Sequence, residues 1–542
     1  MRLRRRVGVG ALLGMGGWLF IAAPAAGQIF DRGEQSLGLT TDPISRSTRL
    51  YGMGRLTLAD DIHNRIAMWD FALNPVGIAD ADTSSTFEAL TGTGSASAVT
   101  DLFPSVATRE VLAGRVVRTG MEGWRRAGGT AYGVRARWDG LRLDQPSATD
   151  TEIRQRLANP SVDIALNGDM PYVKPGRMKY ALTLFYDYQT ANDELRALVY
   201  NTAGEYISRN GATLTPPNFF IPDQADITTR GGSAAASYKF GHWLEAALLG
   251  RLVGIVESST NSGGRNTSEI TGKLRGDRPF PVGEGTLIGH IGRDIDWGLD
   301  GSVWHSSAEE RWAFTTSAGI GQNPLAGRGK LDELEGRGSD MRSRVRWVLG
   351  SLELGGSFNT SFRQGVVFPP DESDPTSLNK FLYVVYNRPG ADTLALPDSV
   401  AYQHIEDRVW QAAGGFSWHL PGHRGLAGAE YHAEQDERTG IPIGLGPRMK
   451  EWDVRAGVEY RCTPVLTGRG GYIYTSRNQD DLTVQNEYLS NAGTLGFTLR
   501  PKNAIWNFDT AYSIEWWRAD YGTPAQPRGS RQQLLGQLRW QF

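Results

Sequence analysis

Segments of about ten residues in which apolar and polar side chains alternate are the feature that most restricts the fold of this chain. The last such segment, residues 530–542, has one face made of Leu534, Gly536, Leu538, Trp540 and Phe542. Its other face carries Gln533, Gln537, Arg539 and Gln541. Period two over this length is typical of a strand that crosses a membrane with one face toward lipid.

A second segment, residues 505–517, repeats the pattern and gives its dimensions. Its apolar face begins at Trp506 and ends at Trp516, ten residues later. At about 3.3 Å per residue and a strand tilt near 40°, that separation projects to roughly 25 Å, the height of a lipid-facing band. Trp410 and Trp418 bracket another segment in the same way.

The connections between these segments alternate in length. Residues 420–424, 462–464 and 501–504 are short, whereas residues 435–450, 475–490, 518–529 and 368–407 form long polar stretches. Short turns on one side and long loops on the other are typical of an outer-membrane barrel. The sequence therefore predicts an all-β, transmembrane antiparallel β-barrel of about 14 to 18 strands, with an even number because both termini should lie on one side.

The first 27 residues have the order of a secretory signal peptide. Four arginines before Val7 are followed by an apolar stretch up to Ala23 and by small residues ending at Gly27. That order predicts export with cleavage near Gly27. Together with the strand pattern, it predicts a multi-pass protein of a Gram-negative-type outer membrane, in contact with outer-membrane lipid.

Charge and cysteine content restrict the partners. The formal net charge is −2 and becomes about −6 without the four signal arginines, and no basic run follows. This argues against a nucleic-acid partner. Cys462 is the single cysteine, so no intramolecular disulfide is expected.

Motifs for catalysis and metal binding are weak throughout. There is no nucleophile elbow, zinc-protease helix or phosphate-binding loop. His419 and His423 flank a Pro-Gly turn, and the aspartates around Asp300 lack the glutamate of a calcium loop, since His305 stands in its place. Ser302 and His305 are three residues apart, which puts them on opposite faces of a strand and argues against a membrane-embedded hydrolase. We therefore expect no enzyme, catalytic residue, metal or cofactor.

Residues 28–109 show no sustained period-two alternation and are predicted to form a plug inside the barrel formed by residues 110–542. A lumen enclosed by this many strands is wide enough to need one if it is not to be an open pore. Within the segment, Gly52 and Gly54 permit close backbone approach, Asp60 or Asp61 can cap a short helix, and Asn74-Pro75 ends it in a turn.

These residues also carry a family resemblance. The runs Arg49–Gly54 and Leu58–Asp61, followed by Leu73–Ala79, resemble the N-terminal hatch of the long-chain fatty acid transporter superfamily (FadL-like), which includes PorV-type barrels. The direct match covers about thirty residues. Val76 replaces the usual alanine, and the spacer between the second and third runs is longer than in the family.

The resemblance implies an outer-membrane channel for a hydrophobic or amphipathic small molecule, gated by the hatch. The hatch candidates are Gly52, Gly54, Asp60, Asp61, Asn74, Pro75 and Gly77. The alternative is a PorV-like interaction protein that holds or shuttles secreted partners. Trp540 and Phe542 resemble the signal that the barrel assembly machinery reads, and that machinery is the expected protein partner.

Overall fold

The structure of the chain is a computed structural model. It describes residues 48–53, 55–56, 85–101, 109–127, 130–146, 152–194, 224–263, 268–275, 279–316, 326–368, 403–421, 424–441, 445–480, 485–520 and 528–541. The predicted signal peptide lies outside these residues. The described part contains no helix that is long and apolar enough to cross a membrane.

One short helix and nineteen strands make up the described chain. They are α1 (Thr48–Gly52), β1 (Ser85–Asp101), β2 (Arg109–Ala127), β3 (Thr130–Pro146), β4 (Glu152–Asp169), β5 (Met178–Glu194), β6 (Gln224–Lys239), β7 (Leu244–Gly263), β8 (Ser268–Arg275), β9 (Phe280–Ile291), β10 (Ile295–Thr316), β11 (Ala326–Leu349), β12 (Leu352–Phe368), β13 (Gln403–His419), β14 (Gly425–Ile441), β15 (Leu445–Arg461), β16 (Leu466–Asp480), β17 (Gln485–Leu499), β18 (Trp506–Asp520) and β19 (Arg528–Gln541).

All the strands belong to one antiparallel sheet that closes on itself, because β1 pairs with both β2 and β19. The strands β8 and β9 share one position in the ring. One end of β7 and of β10 pairs with β8, and the other end with β9. The wall therefore has eighteen positions, which confirms the predicted closed barrel and its even number.

The two ends of the barrel differ in their connections. At one end, the turn side, successive strands are joined by short turns such as Gly350-Ser351, with Gly292 and Gly350 at positive φ. Glycine adopts that conformation without a steric penalty. The opposite end is called the loop side. Its connections include residues 195–223 and 369–402, so the predicted sorting of short and long connections is present.

Two predicted long loops are in large part strand, and a third is shortened at both ends. The stretch 435–450 is occupied by β14 up to Ile441 and by β15 from Leu445, and 475–490 is shortened in the same way, whereas 518–529 loses three residues to β18 and two to β19. Above the lipid both faces of a strand contact water, so its side chains need not alternate in polarity. Alternation therefore locates the membrane-crossing part of these strands but misses their extensions.

The wall also begins earlier than the sequence predicts. Residues 85–101, assigned to the plug by the boundary at residue 110, form β1, whose Thr86–Val99 pair with β19. Its outward face carries Phe87 followed by alanine, threonine and serine instead of large apolar residues. The polarity contrast that marks β18 and β19 is therefore weak in β1.

Candidate functional site

The described part of the N-terminal segment, residues 48–53 and 55–56, lies inside the barrel and is called the hatch segment below. Its helix α1 contacts β16, β17, β18 and β19, and Met53 and Leu56 pack on Leu426 of β14. Tyr51, Met53 and Leu56 are almost fully buried. The segment thus crosses the lumenal face of the wall from β19 to β14.

An ion-pair network holds the beginning of the hatch segment. Arg49 donates from Nε and Nη2 to the two carboxylate oxygens of Glu459 on β15, at 2.7 and 2.9 Å. Glu459 also accepts from Arg469 at 2.7 Å, and Arg469 reaches Asp509 of β18 at 3.1 Å. A bidentate guanidinium–carboxylate pair fixes orientation as well as distance, so Arg49 positions α1 on the wall.

Tyr51 forms a second anchor. Its hydroxyl lies 2.5 Å from Ser513 Oγ and donates to Gln533, while Arg55 donates to it at 3.1 Å. The Arg55 guanidinium lies 4.8 Å from the centre of the Tyr51 ring. Burial by itself lowers the pKa of Arg55, but Tyr51, Glu515 and Asp453 raise it by more, so that pKa is above its usual value and the side chain stays charged.

Glycines on the lumenal face let the backbone of the hatch segment approach the wall. A Cβ on Gly457 of β15 would overlap the carbonyl oxygen of Met53, and one on Gly496 of β17 would lie 3.4 Å from the Cα of Gly52. Thr494 donates to the Gly52 carbonyl at 3.0 Å. Gly52 itself has little room for a side chain, because a Cβ there would lie 3.3 Å from the Cα of Gly496.

On the opposite side of the ring the wall is irregular where β8 ends and β9 begins. On β7, Val256 pairs with Arg275 of β8 and Val253 pairs with Phe280 of β9. Two residues lie between the paired positions on β7 and four between their partners, so the chain from β8 to β9 carries two extra residues. The register with β10 also changes by two. Pro279, just before β9, has no N–H to donate to a neighbouring strand.

An apolar cluster lines the lumen beside this irregularity. Val253, Val282 and Trp304 are buried together, with Phe185 and Phe280 packed against them. The rings of Phe280 and Trp304 are 6.3 Å apart. Charged side chains border the cluster. Arg251 and Glu284, each two residues along its strand from Val253 and Val282, form an ion pair at 3.4 Å. An apolar patch bordered by polar groups suits a molecule that is mainly apolar.

The outer surface of the same strands carries a groove of about 930 Å³. Its floor is made of outward-facing glycines, with Gly250 paired to Gly283 and Gly285 paired to Gly301. Its sides include Leu248, Val303 and Met341, whose exposed fractions are 74%, 62% and 44%. The floor at Gly283 is three residues from the start of β9, so the groove and the lumenal cluster lie on two faces of one part of the wall.

The rest of the wall has the polarity of a membrane protein. Apolar side chains are exposed around its outside, among them Val117, Met121, Leu182, Leu184, Val345, Phe416, Val454, Leu495 and Leu534. Charged side chains are buried toward the lumen, among them Arg118, Glu122, Asp163, Lys179, Arg251, Glu430, Asp453 and Arg469. An apolar exterior of this extent is stable only in lipid. The chain is an outer-membrane β-barrel.

No family model and no curated protein matches the chain, but several solved structures do. It is similar to the P. putida toluene transporter TodX, with 11% identity and a TM-score of 0.39 over 93% of this chain and 99% of that one. The Ralstonia pickettii toluene transporter TbuX gives 10% and 0.37 over 92% and 99%. A Pseudomonas aeruginosa FadL homologue gives 12% and 0.38 over 92% and 99%.

The predicted site residues divide into described and undescribed ones. Gly52 lies in the hatch segment against the wall. Trp540 lies on the outer face of the barrel, with its ring 5.4 Å from that of Phe87 across the β1–β19 seam. Gly54, Asp60, Asp61, Asn74, Pro75, Gly77 and Phe542 lie outside the described residues.

Arg49 and Tyr51 were missed as site residues, although both belong to the run that carries the resemblance. Their partners are distant in sequence, since Arg49 bonds Glu459 and Tyr51 bonds Gln533. The lumenal glycines were missed as well. An available signal was glycine on the polar face of a strand, where no packing against lipid is required.

Proposed function

We propose that the barrel is an outer-membrane channel for a hydrophobic or amphipathic small molecule, and that its N-terminal hatch limits passage of ions and polar solutes. The observation that carries the proposal is the juxtaposition at the irregular wall position. An apolar lumenal cluster and an outward groove lie on two faces of the same strands, where β8 gives way to β9.

The chemistry of this region favours an apolar cargo. Phe185, Phe280 and Trp304 offer aromatic surfaces to the lumen, whereas most of the lumenal wall is polar or charged. Burying apolar surface is favourable by about 25 cal/mol per Å², so a hydrophobic molecule gains there and a sugar does not. Irregular backbone at membrane depth is tolerated where it lines a cavity. The cargo would then leave toward the bilayer through this part of the wall.

The hatch supports the second half of the proposal. Its described residues lie in the lumen against β14–β19 and are held by Arg49 and Tyr51. Blocking the lumen there would leave the irregular wall position as the route for an apolar molecule. The proposed gating role of Gly52, Gly54, Asp60, Asp61, Asn74, Pro75 and Gly77 rests on their place in this segment and on the family resemblance.

Uptake by proteoliposomes tests the proposal. Toluene and a long-chain fatty acid serve as apolar probes, and a monosaccharide serves as the polar one. Gly283→Phe should fill the outer groove and lower uptake of the apolar probes several-fold, since its Cβ position is 3.8 Å from the nearest atom and can accept a side chain. Gly493→Phe is the matched control, because Gly493 also lies on a wall strand and its Cβ would have nothing within 4 Å.

Two results would reject the channel proposal. One is uptake of the monosaccharide at the rate of the apolar probes, which would indicate a general porin. The other is equal uptake by Gly283→Phe and Gly493→Phe. The interaction-protein alternative predicts no probe uptake and a secreted protein that co-purifies with the barrel in stoichiometric amount.

A further inference from the structure

The turn side of the barrel carries exposed positive charge around its circumference. Exposed basic residues occupy the turns or the adjoining strand end: Lys174, Arg177, Arg293, Arg424, Arg461, Arg500 and Lys502, here called the basic rim. Among the described residues of the same turns, Asp294 is the only acid, and at the adjoining strand ends Asp169 accepts from the Gly176 N–H at 3.1 Å. The positive rim therefore reflects sorting of charge to one end, because the whole chain has a formal net charge of −2.

The acids nearest this end are engaged deeper in the wall. Glu459 pairs with Arg49 and Arg469, while Glu353 accepts from Arg346 and His419. Glu245 and Asp509 likewise pair with Lys239 and Arg469. Within the described chain none of the rim side chains forms an ion pair. Arg461 continues the lumenal face of β15 beyond Glu459 and donates to the Pro464 carbonyl at 3.1 Å, so the rim residues of the other turns supply the charge that faces outward. The outermost layer thus keeps its charge for groups outside the protein.

The basic rim lies close to outward-facing tryptophans, which indicate its depth relative to the lipid headgroups. The outward tryptophan Trp418 is the second-last residue of β13, and the turn that follows β13 contains Arg424. Trp506 begins β18 directly after the turn with Arg500 and Lys502. Tryptophan is enriched at the level of lipid headgroups. Arginine and lysine side chains are long enough to extend their charges from such a level into the headgroup layer.

The distribution favours lipid over a soluble acidic protein. Rim residues occur between β4 and β5, between β9 and β10 and in three turns from β13 to β18. Lipid surrounds the whole circumference of a barrel, whereas a docked protein would need the charges on one sector. We propose that the basic rim binds the headgroups of anionic phospholipids in the leaflet around the turn side. This inference does not depend on the cargo of the channel.

Spin-labelled lipids test the proposal with the full barrel in phosphatidylcholine vesicles. The relative association constant of a phosphatidylglycerol label should exceed that of a phosphatidylcholine label by about two- to fivefold at low salt, the scale of one basic residue at an anionic surface. In 1 M NaCl, where the Debye length is about 3 Å, the two labels should become equal.

A charge-neutral variant locates the effect at the rim. Arg424→Gln, Arg500→Gln and Lys502→Gln together should reduce the phosphatidylglycerol preference at least twofold. The matched control keeps the charges, with Arg424→Lys, Arg500→Lys and Lys502→Arg, and should behave as the wild type. Folding of each variant is checked by its gel mobility with and without boiling.

Three outcomes would overturn the inference. The first is equal association of both labels with the wild type at low salt. The second is a preference that persists in 1 M NaCl, which would indicate recognition without charge. The third is a neutral variant that folds and keeps the wild-type preference, which would place the anionic lipid elsewhere on the barrel.

Discussion

Single glycines set how closely the hatch approaches the wall. Gly457 and Gly496 face the lumen on strands where most other lumenal positions carry charged or hydroxyl side chains, and the hatch backbone occupies the space that their missing Cβ atoms leave. Glycine in a strand interior weakens the strand and often marks the close approach of another backbone. The loss of strand stability at these positions is offset by the fit of the hatch.

Replacing Gly457 by alanine should loosen the hatch and leave the wall intact. The added methyl would overlap the Met53 carbonyl, and overpacking of this kind costs about 1–3 kcal/mol. Since 1.4 kcal/mol is a factor of ten in an equilibrium, the open fraction in single-channel recordings should rise about tenfold. Gly493→Ala is the control, because a Cβ there meets nothing within 4 Å. Equal recordings for both variants would show that this contact does not hold the hatch.

At the same scale, sequence could indicate Gly52 but not what it touches. Its run Arg49–Gly54 was recognised as a motif, and glycine suggested close approach. The identities of Gly496 as its neighbour and of Glu459 as the partner of Arg49 depend on contacts more than 400 residues away in sequence. Local pattern carries no information on such pairs, so the anchoring residues required the structure.

At the scale of elements, polarity contrast decides which strands are predictable. β18 and β19 alternate strongly, and the structure buries Gln533 and Gln537 of the predicted polar face toward the lumen. The sequence pattern does not reveal β1, because its outward face is largely threonine and serine. It also does not reveal the loop-side parts of β14 to β17, because both of their faces are polar. The division between β8 and β9 depends on the registers of β7 and β10 and could not be read from one segment.

The hatch is an element whose removal should change conductance far more than stability. Wall strands complete their hydrogen bonds with each other, whereas the described hatch residues are held by side-chain contacts such as Arg49–Glu459. Deleting residues 52–79 should therefore give steady ion conductance, while the intact protein is closed or low in conductance. Planar-bilayer recording measures both. A large open pore in the intact protein, unchanged by the deletion, would favour a general porin.

At the scale of the whole molecule, the ring of strands must close so that no strand is left with an unpaired edge. β1 supplies the last pairing, with β2 on one side and β19 on the other, and the seam is reinforced by Glu88, which accepts from Gln537 at 2.8 Å and from Arg539. Without β1, seventeen positions remain, and β2 and β19 present open edges. In lipid, unpaired backbone groups at such edges cost several kcal/mol each.

Two truncations that keep residues 1–27 test where the wall begins. Removing residues 28–84 leaves all eighteen wall positions, so the barrel should still fold and resist unfolding in detergent until it is boiled. Removing residues 28–109 also takes away β1 and the first residue of β2, so the seam cannot close and the folded band should fall to a small fraction. Gel mobility with and without boiling measures the folded fraction of each. The comparison is internal, because both truncations lack the hatch and differ mainly in β1. If the longer truncation folded as well as the shorter one, β2 would have to pair with β19 directly, and the wall would begin at residue 110 as the sequence alone predicts.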